Sequence, residues 1–287
     1  MASQSRQVHF LTPRKTQPEA PLFVFFPGMD GTGELLQAQT EGLEKAFDVR
    51  CLAIPPDDLA NWDDLVEQSL TLIRTELEGN TQRQIYLCGE SFGGCLALKV
   101  MLRSQTQSSS ASYLRQLFHR LILVNPASSF NRRPWIHWGS QVTQFLPEPV
   151  YQLSCIGLLP FLASLGRINT PERAALLRAM QSVTQKTSIW RLSLLQHFDV
   201  GLEQLASITL PVLIVASGSD RLLPSAYEAQ LLINHLPNAQ MYLLPQSGHA
   251  CLLEADVNLY EILKETHFWS GCHQSTTIPD HSPALVR

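Results

Sequence analysis

One stretch constrains this chain more than any other. Ile85-Tyr86-Leu87-Cys88 leads into Gly89-Glu90-Ser91-Phe92-Gly93-Gly94, and Cys95-Leu96-Ala97-Leu98-Lys99-Val100-Met101-Leu102 follows. A short apolar run, a glycine-flanked serine and a helical run predict a strand, a sharp turn and a helix, in that order. The turn needs glycine on its flanks because the backbone there is strained and crowded, and it lifts the serine hydroxyl above the sheet. A helix that begins just after Ser91 also favours negative charge near its oxygen. Ser91 is therefore the candidate nucleophile.

The rest of the sequence supplies a sheet for that turn. Apolar runs predict strands near 22–26, 48–54, 84–89, 120–125, 211–217 and 239–244. Most are apolar at consecutive positions, which suits parallel strands covered on both faces. Apolar residues at helical spacing predict helices over 62–78, 91–103, 224–236 and 256–266. The alternation implies an α/β fold with a mostly parallel central sheet flanked by helices. It breaks between Asn125 and Pro211, where about 85 residues of helical but poorly amphipathic sequence intervene. That is too long for a connection and reads as an insertion. The expected organisation is a core over 1–130 and 201–270, a helical cap (lid) insertion over 131–200, and a disordered tail over 271–287. Trp135-Ile136-His137-Trp138 and the apolar run Val150 to Leu165 suggest a mobile cap that forms an acyl-binding roof and touches membrane or lipid droplets.

A nucleophilic serine needs a base and an acid, and in this kind of sheet they follow it in the order serine, acid, histidine. His249, in Pro245-Gln246-Ser247-Gly248-His249, comes directly after the last expected strand. Asp220 ends Val212-Leu213-Ile214-Val215-Ala216-Ser217-Gly218-Ser219-Asp220, just beyond the penultimate one. One strand earlier, where an acid can also sit, the sequence reads Asn125-Pro126-Ala127 and offers no carboxylate. Asp199 and Asp256 read as solvated helical positions. The oxyanion of a tetrahedral intermediate needs two N–H donors. The backbone amides of Phe92 and of Met29, in Pro27-Gly28-Met29-Asp30-Gly31-Thr32-Gly33, are the candidates. Glu90 leaves two readings open: a carboxylate that tunes the turn, or an exposed one packed beside the sheet.

Composition matters mainly for what it excludes. A net charge of −4 with no dense Lys/Arg block leaves no electrostatic footprint for nucleic acid. The segment at 27–33 lacks both the Lys-Ser/Thr ending of a phosphate loop and dinucleotide spacing, and no C-x-x-C pair occurs, so no cofactor or metal is expected. Cysteines 51, 88, 95, 155, 251 and 272 read as free thiols. Without an apolar leader or a transit peptide, a cytoplasmic and bacterial-type setting is expected, peripheral to membrane at most.

Together, Pro27–Gly33, Phe47-Asp48-Val49-Arg50-Cys51-Leu52, Gly89–Leu98, Asn125-Pro126-Ala127-Ser128-Ser129-Phe130, Ser217-Gly218-Ser219-Asp220 and Gly248-His249 through Leu252-Leu253-Glu254 resemble the hydrolase half of the plastid phytyl ester synthases. The similarity runs over most of residues 20–265. It implies an α/β-hydrolase fold and acyl chemistry on lipids, moving fatty acyl groups from galactolipids or acyl carriers to phytol or diacylglycerol. The longer relatives continue into an acyltransferase-like half with a His-x4-Asp motif, which no histidine here satisfies; the chain reads as the hydrolase module alone. The expected function is a serine hydrolase or acyltransferase on lipid acyl esters or thioesters. The competing readings are a general carboxylesterase or thioesterase on small esters, and a non-catalytic ligand-binding module. Serine at 91 excludes an epoxide hydrolase or dehalogenase, which needs a carboxylate there.

Overall fold

The computed structural model describes residues 7–80, 82–105, 114–130 and 147–269. Trp135-Ile136-His137-Trp138, Cys272 and the expected tail lie outside them.

Seven strands form one sheet: β1 (His9–Leu11), β2 (Leu22–Phe26), β3 (Asp48–Ala53), β4 (Ile85–Glu90), β5 (Phe118–Val124), β6 (Val212–Ser217) and β7 (Ala239–Leu244). Their spatial order is β1-β3-β2-β4-β5-β6-β7. Only β1 runs antiparallel, along β3; every other pairing is parallel. The run Leu22-Phe23-Val24-Phe25-Phe26 is wholly buried because alternate side chains enter different cores. Leu22, Val24 and Phe26 pack on one face, and Phe23 and Phe25 on the other. Burying each of these large side chains contributes about 1.5–3 kcal/mol. β7 alternates as an edge strand does: Tyr242 and Leu244 pack inward, while Met241 and Leu243 are exposed.

Helices cover both faces. On the first lie α2 (Trp62–Glu76), α3 (Phe92–Ser104) and α8 (Ser225–Ile233); on the second lie α1 (Gln37–Leu43) and α9 (Leu259–Glu265). The start of α2 is fixed by Asn61, whose side chain accepts from the Asp64 amide while Asp64 accepts from the Asn61 amide. The helix buries Trp62, Leu65, Val66, Leu70 and Ile73. By contrast α3 is buried almost all round, in keeping with a central helix directly behind β4.

Between the adjacent strands β5 and β6 come α4 (Glu148–Leu162), α5 (Thr170–Ser182), α6 (Gln185–Gln196) and α7 (Leu202–Ser207). The innermost of these is α6. Trp62 donates to the Leu194 carbonyl at 3.0 Å, and Trp190 donates to the Ala60 carbonyl at 2.9 Å, so α6 is fastened to the start of α2. Trp190 thus packs the insertion onto the core instead of facing outward. Helix α4 is the reverse: Val150, Leu153, Ile156, Leu158 and Phe161 are exposed, and only Tyr151 and Cys155 are buried. Among the described residues, no helix is long and apolar enough to cross a membrane.

Candidate active site

The helix expected over 91–103 begins one residue later, because Ser91 is the turn itself. Its φ of 52° and ψ of −112° lie outside every ordinary region for a residue with a side chain, a conformation that costs about 1–3 kcal/mol. The glycines around it are required by space. A Cβ at Gly89 would strike the Gly93 carbonyl, and one at Gly93 would strike the Phe26 carbonyl. The Ser91 amide is held by the Val124 carbonyl at 3.0 Å, which ties the turn to the end of β5. Phe92, fully buried, stacks on Trp62 with ring centroids 4.6 Å apart.

Three loops at the carboxyl ends of β4, β6 and β7 then meet. Ser91 Oγ lies 2.9 Å from His249 Nε2, and His249 Nδ1 lies 2.7 Å from Asp220 Oδ2. Oδ1 of Asp220 accepts the amides of Leu222 and Leu223, and Oδ2 also accepts the Ser225 hydroxyl. Burial pushes the Asp220 carboxyl up, but His249, Ser225 and Leu223 hold it below the ordinary carboxylate value. Burial likewise pushes His249 down, yet the Asp220 carboxylate, and Glu90 after it, raise it above the usual histidine value. The loops that carry Asp220 and His249 are stitched together by the Gly218 amide on the Leu244 carbonyl and the Ser219 amide on the Ser247 carbonyl.

Residues 57–256 match the hydrolase family described as serine aminopeptidase, S33. The chain belongs to this family of α/β hydrolases. Phytyl ester synthase 1, chloroplastic, of Arabidopsis thaliana is 34% identical over 92% of the hydrolase and 39% of its own length. For phytyl ester synthase 2, chloroplastic, of the same plant the figures are 29%, 91% and 40%, so the hydrolase spans about two fifths of these relatives. The crystal structure of MGS-M2, an α/β-hydrolase enzyme from a Medee basin deep-sea metagenome library, superposes with a TM-score of 0.69 at 17% identity. It covers 96% of this chain and 99% of its own.

The other residues singled out in the sequence have the following places. Met29 and Phe92 lie where β2 and β4 end, and neither amide has an acceptor among the described residues. Glu90 is partly buried, not an exposed carboxylate beside the sheet. Desolvation, helped by Asp30 and opposed by His249, pushes its carboxyl up to about 7. Asn125, at the position where an acid might have stood, takes a φ of 42° and acts as a clamp. It donates to Ser217 Oγ and to the His249 carbonyl, and accepts the Ser217 amide. The expectation of helical settings for Asp199 and Asp256 is wrong. Asp199 follows the end of α6, and Asp256 sits in a turn where Arg167 pairs with it at 2.6 Å.

Sequence reasoning passed over two links from the insertion to these loops. Arg167 pairs with the buried Glu254 at 2.6 Å, and Glu254 also accepts the Ser247 hydroxyl and the Gly248 amide, bracing the loop that carries His249. Arg191, from α6, reaches the loop after β2. Among the described residues no group of three His, Cys, Asp or Glu could hold a metal ion. A polar cleft of about 410 Å³, lined by Glu41, Lys45 and Glu172 among others, shares no residue with the relay.

Proposed function

We propose that the protein is a serine hydrolase or acyltransferase acting on lipid acyl esters or thioesters through an acyl-enzyme on Ser91. The observation that carries this reading is the unbroken relay Ser91 Oγ, His249, Asp220 at the head of a strained turn. Ser91 Oγ attacks the acyl carbonyl carbon as its proton passes to His249 Nε2, and Asp220 stabilises the imidazolium. The resulting oxyanion takes hydrogen bonds from the Phe92 and Met29 amides, each worth about 3 kcal/mol. The bond to the alkoxide or thiolate then breaks, and the leaving group collects the proton from Nε2. Water or an alcohol next gives its proton to Nε2 and attacks the acyl carbon; the bond to Ser91 Oγ then breaks as Nε2 returns the proton to Oγ, releasing an acid or a new ester.

Two things support a lipid substrate. One is the relatedness to the phytyl ester synthases. The other is α4, which carries no charge after Glu148 and turns Val150, Leu153, Ile156, Leu158 and Phe161 outward.

The test is labelling with a fluorophosphonate, followed by identification of the modified residue. Wild type should label at Ser91, and Ser91→Ala should fold, fail to label and lose p-nitrophenyl ester hydrolysis. Asp220→Asn should lower turnover by roughly 10⁴ with little change in stability. Wild-type turnover in Ser91→Ala would refute the assignment.

A further inference from the structure

We propose that Arg191 is a positioning residue for the oxyanion site: from the insertion, its guanidinium sets the turn Gly28-Met29-Asp30-Gly31 so that the Met29 amide is kept as a donor. This rests on the reading of Ser91 as nucleophile and deepens it.

The turn lies against Ser91, since a side-chain carbon at Gly28 would stand 3.9 Å from Ser91 Cβ. All four of its carbonyls are engaged. Gly28 accepts the Gly31 amide at 3.0 Å, and Gly31 accepts the Ile54 amide at 2.7 Å. The two between them are held by one nitrogen, Arg191 Nη1, at 2.8 Å from the Met29 oxygen and 3.0 Å from the Asp30 oxygen. Nη2 donates to the Pro55 carbonyl at 2.9 Å, which anchors the guanidinium to the loop after β3. The amide of Met29, on the same peptide plane as the engaged Gly28 carbonyl, has no acceptor among the described residues. Its direction is fixed because that carbonyl points the opposite way.

Packing alone does not account for an arginine here. Arg191 is 2% exposed, and among the described residues no carboxylate lies within ion-pair distance of it. Burying a charge costs several kcal/mol unless it is well paired or well hydrogen-bonded. What meets the guanidinium is three backbone carbonyls from two loops, a pattern its planar fork spans and a lysine's single ammonium does not. Gly31 makes way for it: φ is 72°, and a Cβ there would stand 2.6 Å from Nη1. The insertion thus supplies part of the scaffold for the donor site and is more than a cover over it.

The test uses the full chain with Arg191→Lys and Arg191→Met, and two substrates: a p-nitrophenyl ester and its thiono counterpart, in which C=S replaces C=O. Sulfur accepts hydrogen bonds poorly, so the ester depends on the donors far more than the thionoester does. Arg191→Lys should lower kcat on the ester by about 10²-fold, a size set by donor misplacement, with KM changed less than about threefold. The thionoester rate should fall much less, so the ester-to-thionoester ratio should drop by about tenfold or more. An equal fall on both substrates, wild-type rates in a folded variant, or failure of Arg191→Lys to fold would each overturn the proposal and leave a structural arginine. Failure of the Ser91 reading shows separately, as ester turnover by wild type that Ser91→Ala retains.

Discussion

Two carboxyls act on His249, and they act differently. Asp220 accepts the Nδ1 hydrogen bond and stays ionised, because its contacts hold it below the ordinary carboxylate value despite burial. Glu90 acts by charge alone, and its own carboxyl is pushed up to about 7 by desolvation and Asp30 against the pull of His249. The base must be neutral to work, so kcat/KM should fall as pH drops through a value above 6.5, the side to which His249 is shifted. Glu90→Gln removes one support of the imidazolium, and its acid limb should move to lower pH. The same variant should change stability in a direction that follows from linkage. A carboxyl whose folded value is raised binds more protons when folded, so its contribution is fully present below its unfolded value and is lost as pH rises towards about 7. Glu90→Gln should therefore melt higher than wild type at pH 8, with the gain vanishing near pH 4. An unmoved acid limb together with equal melting temperatures at both pH values would show that Glu90 faces neither burial nor His249 in the way described.

At the level of elements, what the sequence made legible tracks how each element is buried. β2, β4 and β6, and β5 from Leu121 on, are covered on both faces, so each shows several consecutive apolar residues, and the turn between β4 and α3 is marked by glycines that only close contact explains. The relay residues were legible because they follow strand ends in chain order. β1 was not, since His9-Phe10-Leu11 is three half-buried residues paired on one side only. Arg191 left no trace either: it sits inside a helix of weak amphipathicity, and its partners are backbone carbonyls far away in sequence. Asp48-Val49-Arg50-Cys51-Leu52, one of the segments that carry the family resemblance, has a structural role. Asp48 is fully buried at the start of β3 and pairs with Arg50 at 2.7 Å and Arg83 at 2.6 Å, while Arg50 also meets Glu76 at 2.8 Å. These pairs lie at the opposite end of the parallel strands from Ser91. Burial opposes ionisation of Asp48, but the two arginines and the Gln17 amide keep its carboxyl below the ordinary value. The stability it contributes is thus present at neutral pH and lost as pH falls through that lowered value. Asp48→Ala, which leaves the buried Arg83 without its carboxylate and Arg50 with Glu76 alone, should cost about 3–5 kcal/mol in urea unfolding. Per folded molecule, ester turnover should be unchanged; a lower turnover would mean that the two ends of the sheet are coupled.

Across the whole molecule, the insertion has two sides with different work. Its inner side is fastened to the core by Trp190, Arg191 and Arg167, and the last two tie it to both loops that flank Ser91. Its outer side is α4, where Leu153 is 65% exposed and Phe161 49%, with Val150, Ile156 and Leu158 beside them. No charged residue occurs between Glu148 and Arg167. A helix that leaves this much apolar surface open while holding Tyr151 and Cys155 inward suits contact with a lipid surface, the partner proposed for this face. At about 0.8 kcal/mol per buried CH₂, an acyl-binding groove under such a cap should give kcat/KM rising with chain length up to a limit. The check is a series of esters from about two to eighteen carbons, presented below and above their solubility limit, with liposome flotation of the same protein. Wild type should float and prefer long chains above the solubility limit. Leu153→Ser with Phe161→Ser should abolish flotation and that advantage, yet leave turnover of soluble short esters within about twofold, as exposed substitutions away from the site do. Flat or short-chain-biased kcat/KM with no flotation by wild type would remove the lipid assignment and leave a hydrolase of small esters. Flotation that survives in the double variant would move the contact away from α4.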